Sequence, residues 1–258
     1  MIRVKTPQQI EELAKAAQIV ADCHQIAREM VKPGATTAEI NEEVERHIEK
    51  EGVTPAFKGY PAGTPGVQDF PAACCMSVDA QVVHGIPNET PLVEGQILSV
   101  DIGVRTKTGW YGDAARTFPV GKIADNVQEL LDATQQSLME AIKVMNPGNY
   151  VGDIGEAVQN HVEPRGFSVV RDLVGHGIGK NLHEEPQIPN YGRGGRGLKL
   201  REGMVLCVEP MINLGTYRVK MLNDGWTVLT EDGLPSAHFE HQIAVTAKGP
   251  RVLSLDPD

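Results

Sequence analysis

Two stretches of this sequence, "PLVEGQILSVDIGV" and "LKLREGMVLCVEPMI", read as apolar strands that each end on one carboxylate, Asp101 and Glu209. A buried, unpaired charge is costly, so each residue calls for a partner. "LSVDIGVRTKTGWYGDAARTFPV" reads as two strands joined by a turn around Thr106–Gly109, and a hairpin centred on Lys107 sets Asp101 opposite Asp113. Like charges facing across a ladder are destabilising. Exposure, a shared proton or a bound metal would each relieve them. Ile97, Leu98, Val100 and Ile102 around Asp101 argue against exposure.

Further candidates lie downstream. Glu209 is followed by Pro210, which cannot continue a central ladder. Glu240 opens an alternating strand in "AHFEHQIAVTAKG", and His176 lies between glycines in "LVGHGIGKNLHEEP", where the backbone is free to bend. The candidate metal ligands are therefore Asp101, Asp113, His176, Glu209 and Glu240. Four carboxylates do not suit a single zinc, whose sites hold four ligands richer in nitrogen or sulfur. They suit two divalent ions ~3.5–4 Å apart. One imidazole among oxygen ligands favours Co, Mn, Fe or Zn over Ca or Mg.

The elements that must hold these residues form two similar series. Thr6, Pro7 and Gln9 spell a capping box, followed by an apolar stripe through Ile10, Leu13, Ala17, Val20, Ala27 and Val31. Pro33-Gly34 stops that helix, and Thr36 and Glu39 cap a second one that ends at Gly52. "VKPGATTAEINEEVERHIEKEG" then matches "MNPGNYVGDIGEAVQNHVEPRG" at a fixed offset, His47 over His161 among others. Further on, Glu94-Gly95 falls over Glu202-Gly203 and Asp101 over Glu209. Two matches in one order indicate a duplicated unit rather than recurring turn grammar. The carboxylates then become symmetry mates facing one shared site.

Asp101, Gly112-Asp113, "GHGIG" around His176, "VEP" at Glu209 and "FEH" at Glu240 resemble, in order and spacing, the ligand set of the methionine aminopeptidases. The compact chain resembles the type I form of that group within the M24 metallopeptidase family, without the zinc-binding extension of eukaryotic members. The resemblance implies an α+β pita-bread fold, with two αβ halves about a pseudo-twofold and a central, mainly antiparallel sheet. It implies one catalytic domain over residues 1–258, with halves at about 8–122 and 123–250. It also implies removal of the initiator methionine from chains with a small second residue, by a hydroxide bridging two metals. Glu209 resembles the residue that shuttles the proton, His84 the histidine near the scissile nitrogen, and His183 the one that binds the substrate oxygen. Phe70, Cys75 and Trp226 match positions of the methionine pocket wall, with Tyr60 and Leu182 as neighbours. The chain departs from the family's compact "GYxGYP"-like run: "PAGTPGVQD" (61–69) separates Tyr60 from Phe70 and puts the placement of Tyr60 in question.

The remaining signals mostly exclude. A formal charge of −10 gives DNA binding no electrostatic support. Four cysteines lack zinc-finger spacing and read as free thiols of a cytoplasmic protein; Cys207 shares a strand face with Glu209 and reads first as a small apolar filler, second as a residue approaching the metals. No stretch reads as a signal peptide or membrane span. "GRGGRG" follows a proline-containing loop and precedes no helix, so it is not a dinucleotide site. Its arginines, with Lys199 and Arg201, read as a solvated loop, with ribosome contact as the second reading. His47 and His161 fall on helices as surface or interhelical residues. The expected partner is a peptide or nascent-chain N-terminus, and a monomer is expected. The rival readings are an Xaa-Pro aminopeptidase or prolidase, a metal-free creatinase-like hydrolase, and a non-catalytic binding protein on the same fold.

Overall fold

Helix α1 (Pro7–Met30) begins at Thr6, whose Oγ1 accepts the Gln9 N–H at 3.3 Å while the Gln9 side-chain oxygen accepts the Thr6 N–H at 3.0 Å. This reciprocal box satisfies two donors that a helix N-terminus otherwise leaves free. Thr36 and Glu39 repeat the device for α2 (Thr37–Lys50). The computed structural model describes residues 2–256. Val20 and Ala27 of α1 and Ile40, Val44 and Ile48 of α2 pack on Leu98, Val100 and Ile102. A second pair of helices, α3 (Asp125–Lys143) and α4 (Val151–Val162), packs through Leu130, Leu138, Ile154 and Val158 against Leu206, Val208 and Ile243.

The strands under these helices pair antiparallel. Ile97–Arg105 pairs along its length with Tyr111–Pro119 and, on its other edge, with Cys74–Val78 and Thr54–Pro55. A five-stranded sheet runs in the order Gly249–Val252, His241–Thr246, Val205–Val208, Gly175–Gly177, Glu184–Ile188. The expected central sheet is thus two ladders that meet along Tyr111–Pro119. The Glu240 N–H donates to the Ala115 carbonyl at 2.9 Å, Thr117 Oγ1 to the His238 carbonyl at 2.8 Å, and Arg116 Nη1 to the Glu240 carbonyl at 2.6 Å. At that seam, side chains replace part of the ladder.

The hairpin register differs from the sequence reading. Asp101 pairs with Ala115 and Asp113 with Gly103, so the hairpin centres on Thr108 rather than Lys107. The turn sets this: the Thr106 N–H donates to the Trp110 carbonyl at 2.8 Å, and the Trp110 N–H donates back to Thr106 Oγ1 at 3.0 Å. Asp101 and Asp113 are diagonal rather than opposite. Because the slip is even, both stay on one face of the sheet. Gly112, just before Asp113, lies where α1 crosses the strand; a Cβ there would be 2.5 Å from the Ala16 carbonyl.

Candidate active site

Five segments converge on one cavity of about 130 Å³. Asp101 and Asp113 come from the hairpin, and His176 from its three-residue strand. Glu209 follows Val205–Val208, and Glu240 lies between Ser236–His238 and His241–Thr246. All five line this cavity. His176 Nε2 is 3.5 Å from Glu209 Oε1 and 3.8 Å from Asp113 Oδ2. Its Nδ1 lies 3.0 Å from the Gly177 carbonyl, which can only accept; Nδ1 therefore donates, leaving Nε2 free toward the carboxylates. The glycines flanking His176 serve close packing rather than bending. A Cβ on Gly175 would strike the Cys207 carbonyl, and one on Gly177 the Glu185 carbonyl.

The floor concentrates buried carboxylates. Asp113 Oδ1, Asp101 Oδ1 and Glu240 Oε1 are buried without hydrogen-bond partners. Burial, then mutual repulsion with Glu240 foremost, pushes Asp101 and Asp113 well above the usual carboxylate range. Glu240 is raised by burial and then by Glu209, and burial alone lifts Glu209 to about 8. Burial holds His176 down to about 3, so its ring is neutral and able to ligate. Ligand atoms of Asp113, His176, Glu240 and Cys207 all lie within 4.8 Å of one another. Unpartnered, crowded oxygens beside a neutral imidazole fit divalent cations. Cys207 thus takes the second of its two sequence readings, approaching the ligand group. Burial, then Glu240 and Asp113, push its thiol well above the usual range and keep it protonated.

The side of the cavity is apolar and aromatic. Tyr60, Phe70, Cys75, Leu182 and Trp226 line it together with His84 and His183. Phe70 and Trp226 meet edge to face, with centroids 5.2 Å apart at 76°. Tyr60 is not displaced by the 61–69 segment: its hydroxyl is 2.9 Å from His183 Nδ1. The His183 ring stands perpendicular to His176 at 4.5 Å. His84 adopts a left-handed φ of 58°, uncommon for a residue with a side chain and frequent at functional sites.

Three nearby residues escape the sequence reading. Phe57 also lines the cavity, and Gly103 makes room for it; a Cβ there would be 2.8 Å from the ring. His238 is fully buried, with Nε2 3.6 Å from Glu209 Oε2 and neither ring nitrogen hydrogen-bonded. The signal for it was its i, i+2 spacing to Glu240 in "AHFEH", which on a continuous strand would set both on one face. Glu184, beside His183, accepts from Lys5 Nζ at 2.9 Å and from the Lys180 N–H at 2.9 Å, fixing the turn that carries His183. No sequence pattern joins Lys5 to Glu184.

Residues 11–247 match metallopeptidase family M24. A methionine aminopeptidase of Clostridium perfringens is 46% identical over 99% of this chain and 99% of its own. The crystal structure of a methionine aminopeptidase from Thermotoga maritima superposes with a TM-score of 0.94 at 45% identity, covering 98% of this chain and 99% of that one. A Pyrococcus horikoshii prolidase shares the fold alone, at 20% identity and a TM-score of 0.78, with 98% of this chain covering 64% of that one.

Proposed function

Because this chain belongs to metallopeptidase family M24, and within it to the methionine aminopeptidases, we propose that the cavity takes the N-terminal methionine of a peptide against its aromatic wall and presents the first peptide bond to the carboxylate floor. The single observation that supports this most is the convergence of buried, unpartnered carboxylate oxygens at the base of an apolar pocket. The protein is a metal-dependent hydrolase of peptide N-termini. In the finer reading, Asp101, Asp113, His176, Glu209 and Glu240 hold two divalent ions drawn from Co, Mn, Fe or Zn. Such ions make water nucleophilic near neutral pH and polarise the scissile carbonyl.

The chain's own groups do the rest. Glu209, ionised as a ligand of the floor, takes the proton of the attacking water and passes it to the departing amine. Tyr60 hydrogen-bonds His183 Nδ1; with the tyrosine hydroxyl as donor, Nε2 keeps its proton. His183 then donates to the carbonyl oxygen as negative charge develops there. His84, held neutral by burial at a pKa of about 4, stands near the scissile nitrogen. Phe70, Cys75, Leu182 and Trp226 receive the unbranched thioether, which adapts well to apolar and aromatic surfaces. Substrates with a small second residue, a cytoplasmic location, a monomeric state and a single catalytic domain complete the reading. No helix among the described residues is long and apolar enough to cross a membrane. The Arg193–Arg201 loop, exposed at Arg193, Arg196, Lys199 and Arg201, is the face offered for ribosome contact.

The test compares Met-Ala-Ser with Xaa-Pro peptides and Met-Leu peptides after chelation and metal add-back. Metal-dependent release of methionine from the first alone is expected. Cleavage of Xaa-Pro peptides in its place would overturn the assignment. Titration calorimetry showing one binding event instead of two would overturn the ion count.

A further inference from the structure

The 61–69 segment has a closed neck. The Gly59 N–H donates to the Phe70 carbonyl at 2.8 Å, and the Phe70 N–H donates to the Tyr60 carbonyl at 2.9 Å. The excursion therefore leaves and re-enters the wall at one point and inserts nothing between Tyr60 and Phe70. Its far end reaches across the rim to the 222–227 turn. The Gln68 carbonyl accepts the indole N–H of Trp226 at 2.9 Å. Val67 is seated on Gly225, where a Cβ would be 2.6 Å from Val67 Cγ1.

Trp226 is held in two different ways. Its backbone is pinned by Asp224, whose Oδ1 accepts the N–H groups of Trp226 and Thr227, both at 2.9 Å, while Oδ2 accepts the Thr227 hydroxyl at 2.6 Å. Its ring is oriented by the edge contacts to Phe70 and, at 6.3 Å, to His84, and by the hydrogen bond to Gln68. An indole N–H that is half-buried needs such a partner, and that partner fixes the plane of the ring. We propose that residues 61–69 form a clasp that holds the Trp226 ring as one wall of the side-chain pocket and so sets its selectivity for an unbranched side chain. Gln68 and Val67 are positioning residues acting through Trp226. The proposal rests on the reading of this cavity as the methionine pocket.

The carboxylate floor stands on strands that the clasp does not touch, so loosening the clasp acts on substrate binding rather than on the chemical step. Replacing residues 62–68 by two glycines keeps the neck and removes the contact. This variant is expected to raise KM for Met-Ala-Ser with kcat little changed, on the order of three- to tenfold, the worth of one neutral hydrogen bond. It should also narrow the preference for methionine over leucine at the N-terminus. Trp226→Phe, which keeps a ring but loses the donor, should raise KM similarly, and the combined variant should be no worse than either alone. Additive effects, or an unchanged KM in the loop variant, would overturn the proposal. Should the shortened loop fail to fold, Val67→Asp unseats the clasp by a point change and carries the same expectation. In a Trp110→Phe background, which leaves Trp226 as the sole indole, Val67→Asp should increase acrylamide quenching; unchanged quenching also overturns the clasp. The optical measurement needs no turnover. If the unaltered protein does not cleave Met-Ala-Ser, the functional reading falls while the clasp is still tested.

Discussion

The floor of the cavity and its wall are built by different means. Asp101, Asp113 and His176 sit within paired strands, and Glu209 and Glu240 lie at strand ends, so ladder registers position them. Tyr60, Phe70, Leu182 and Trp226 come from turns, and their positions depend on hydrogen bonds specific to this chain. The floor concentrates buried charge, which costs stability unless a cation offsets it. The wall concentrates apolar surface, which stabilises on burial and tolerates change in shape. Disturbing the floor should therefore abolish chemistry or alter stability, whereas disturbing the wall should shift binding and preference.

The largest effect expected is at Glu209. Glu209→Gln keeps the shape and removes the proton carrier, so kcat should fall about a thousandfold with KM nearly unchanged, as for loss of a general acid–base. Steady-state kinetics on Met-Ala-Ser read this directly. A fall confined to KM would move Glu209 from the floor's function to the wall's.

Metal removal gives the next largest effect, read in stability and dependent on pH. In the metal-free protein Glu209 titrates at about 8, raised by burial from an ordinary 4.5. The folded state then holds a proton that the unfolded chain releases above about 4.5. This contribution to stability is complete below that pH and is lost as pH rises through about 8. Asp101, Asp113 and Glu240 are shifted in the same direction. Chelated protein should therefore melt progressively lower from pH 5 to pH 8. Its gap to the metal-loaded form should widen by on the order of ten degrees. Scanning calorimetry at both pH values checks this, and a constant gap would mean that the carboxylates are not the cation's partners.

His238→Leu should be milder. It leaves Glu209 ionisable but removes the buried imidazole 3.6 Å away. A drop in kcat of about tenfold is expected, equivalent to about 1.4 kcal/mol of electrostatic support from the adjacent imidazole. His238→Gln, which restores a donor, should recover most of it. Equal losses in the two variants would make His238 a packing residue.

Legibility in the sequence follows the same division. The helix caps could be read because Thr6 and Gln9, or Thr36 and Glu39, interact within a single turn. The floor could be read because carboxylates among apolar strand residues break a local pattern. The hairpin register could not, because the hydrogen bonds between Thr106 and Trp110 lengthen the turn, and alternation is blind to an even slip. His238 was hidden because one buried histidine two residues from a candidate ligand reads equally well as core. Phe57 and the Gln68–Trp226 contact depend on pairings between distant segments, Phe57 with Gly103 and the 61–69 segment with the 222–227 turn, which no local pattern encodes.

Tyr60 lies where wall and floor join, and the smallest effect should be found there. Its ring lines the apolar side, while its hydroxyl hydrogen-bonds the nitrogen of His183 that faces away from the substrate reading of that residue. Tyr60→Phe leaves the ring surface in place and removes only the oxygen. If Tyr60 belongs to the wall, KM should not change, because no apolar contact is lost. If its hydroxyl fixes the tautomer of His183, kcat should fall about three- to tenfold, since a neutral hydrogen bond of this kind is worth about 1 kcal/mol. His183 would still reach the substrate oxygen but would no longer be restricted to the donor form. Combining Tyr60→Phe with His183→Ala separates the cases. Once the imidazole is gone, the hydroxyl has nothing to orient, and the double variant should match His183→Ala alone. A further loss of activity in the double variant would show Tyr60 acting on the substrate by its own contact and would return it to the wall.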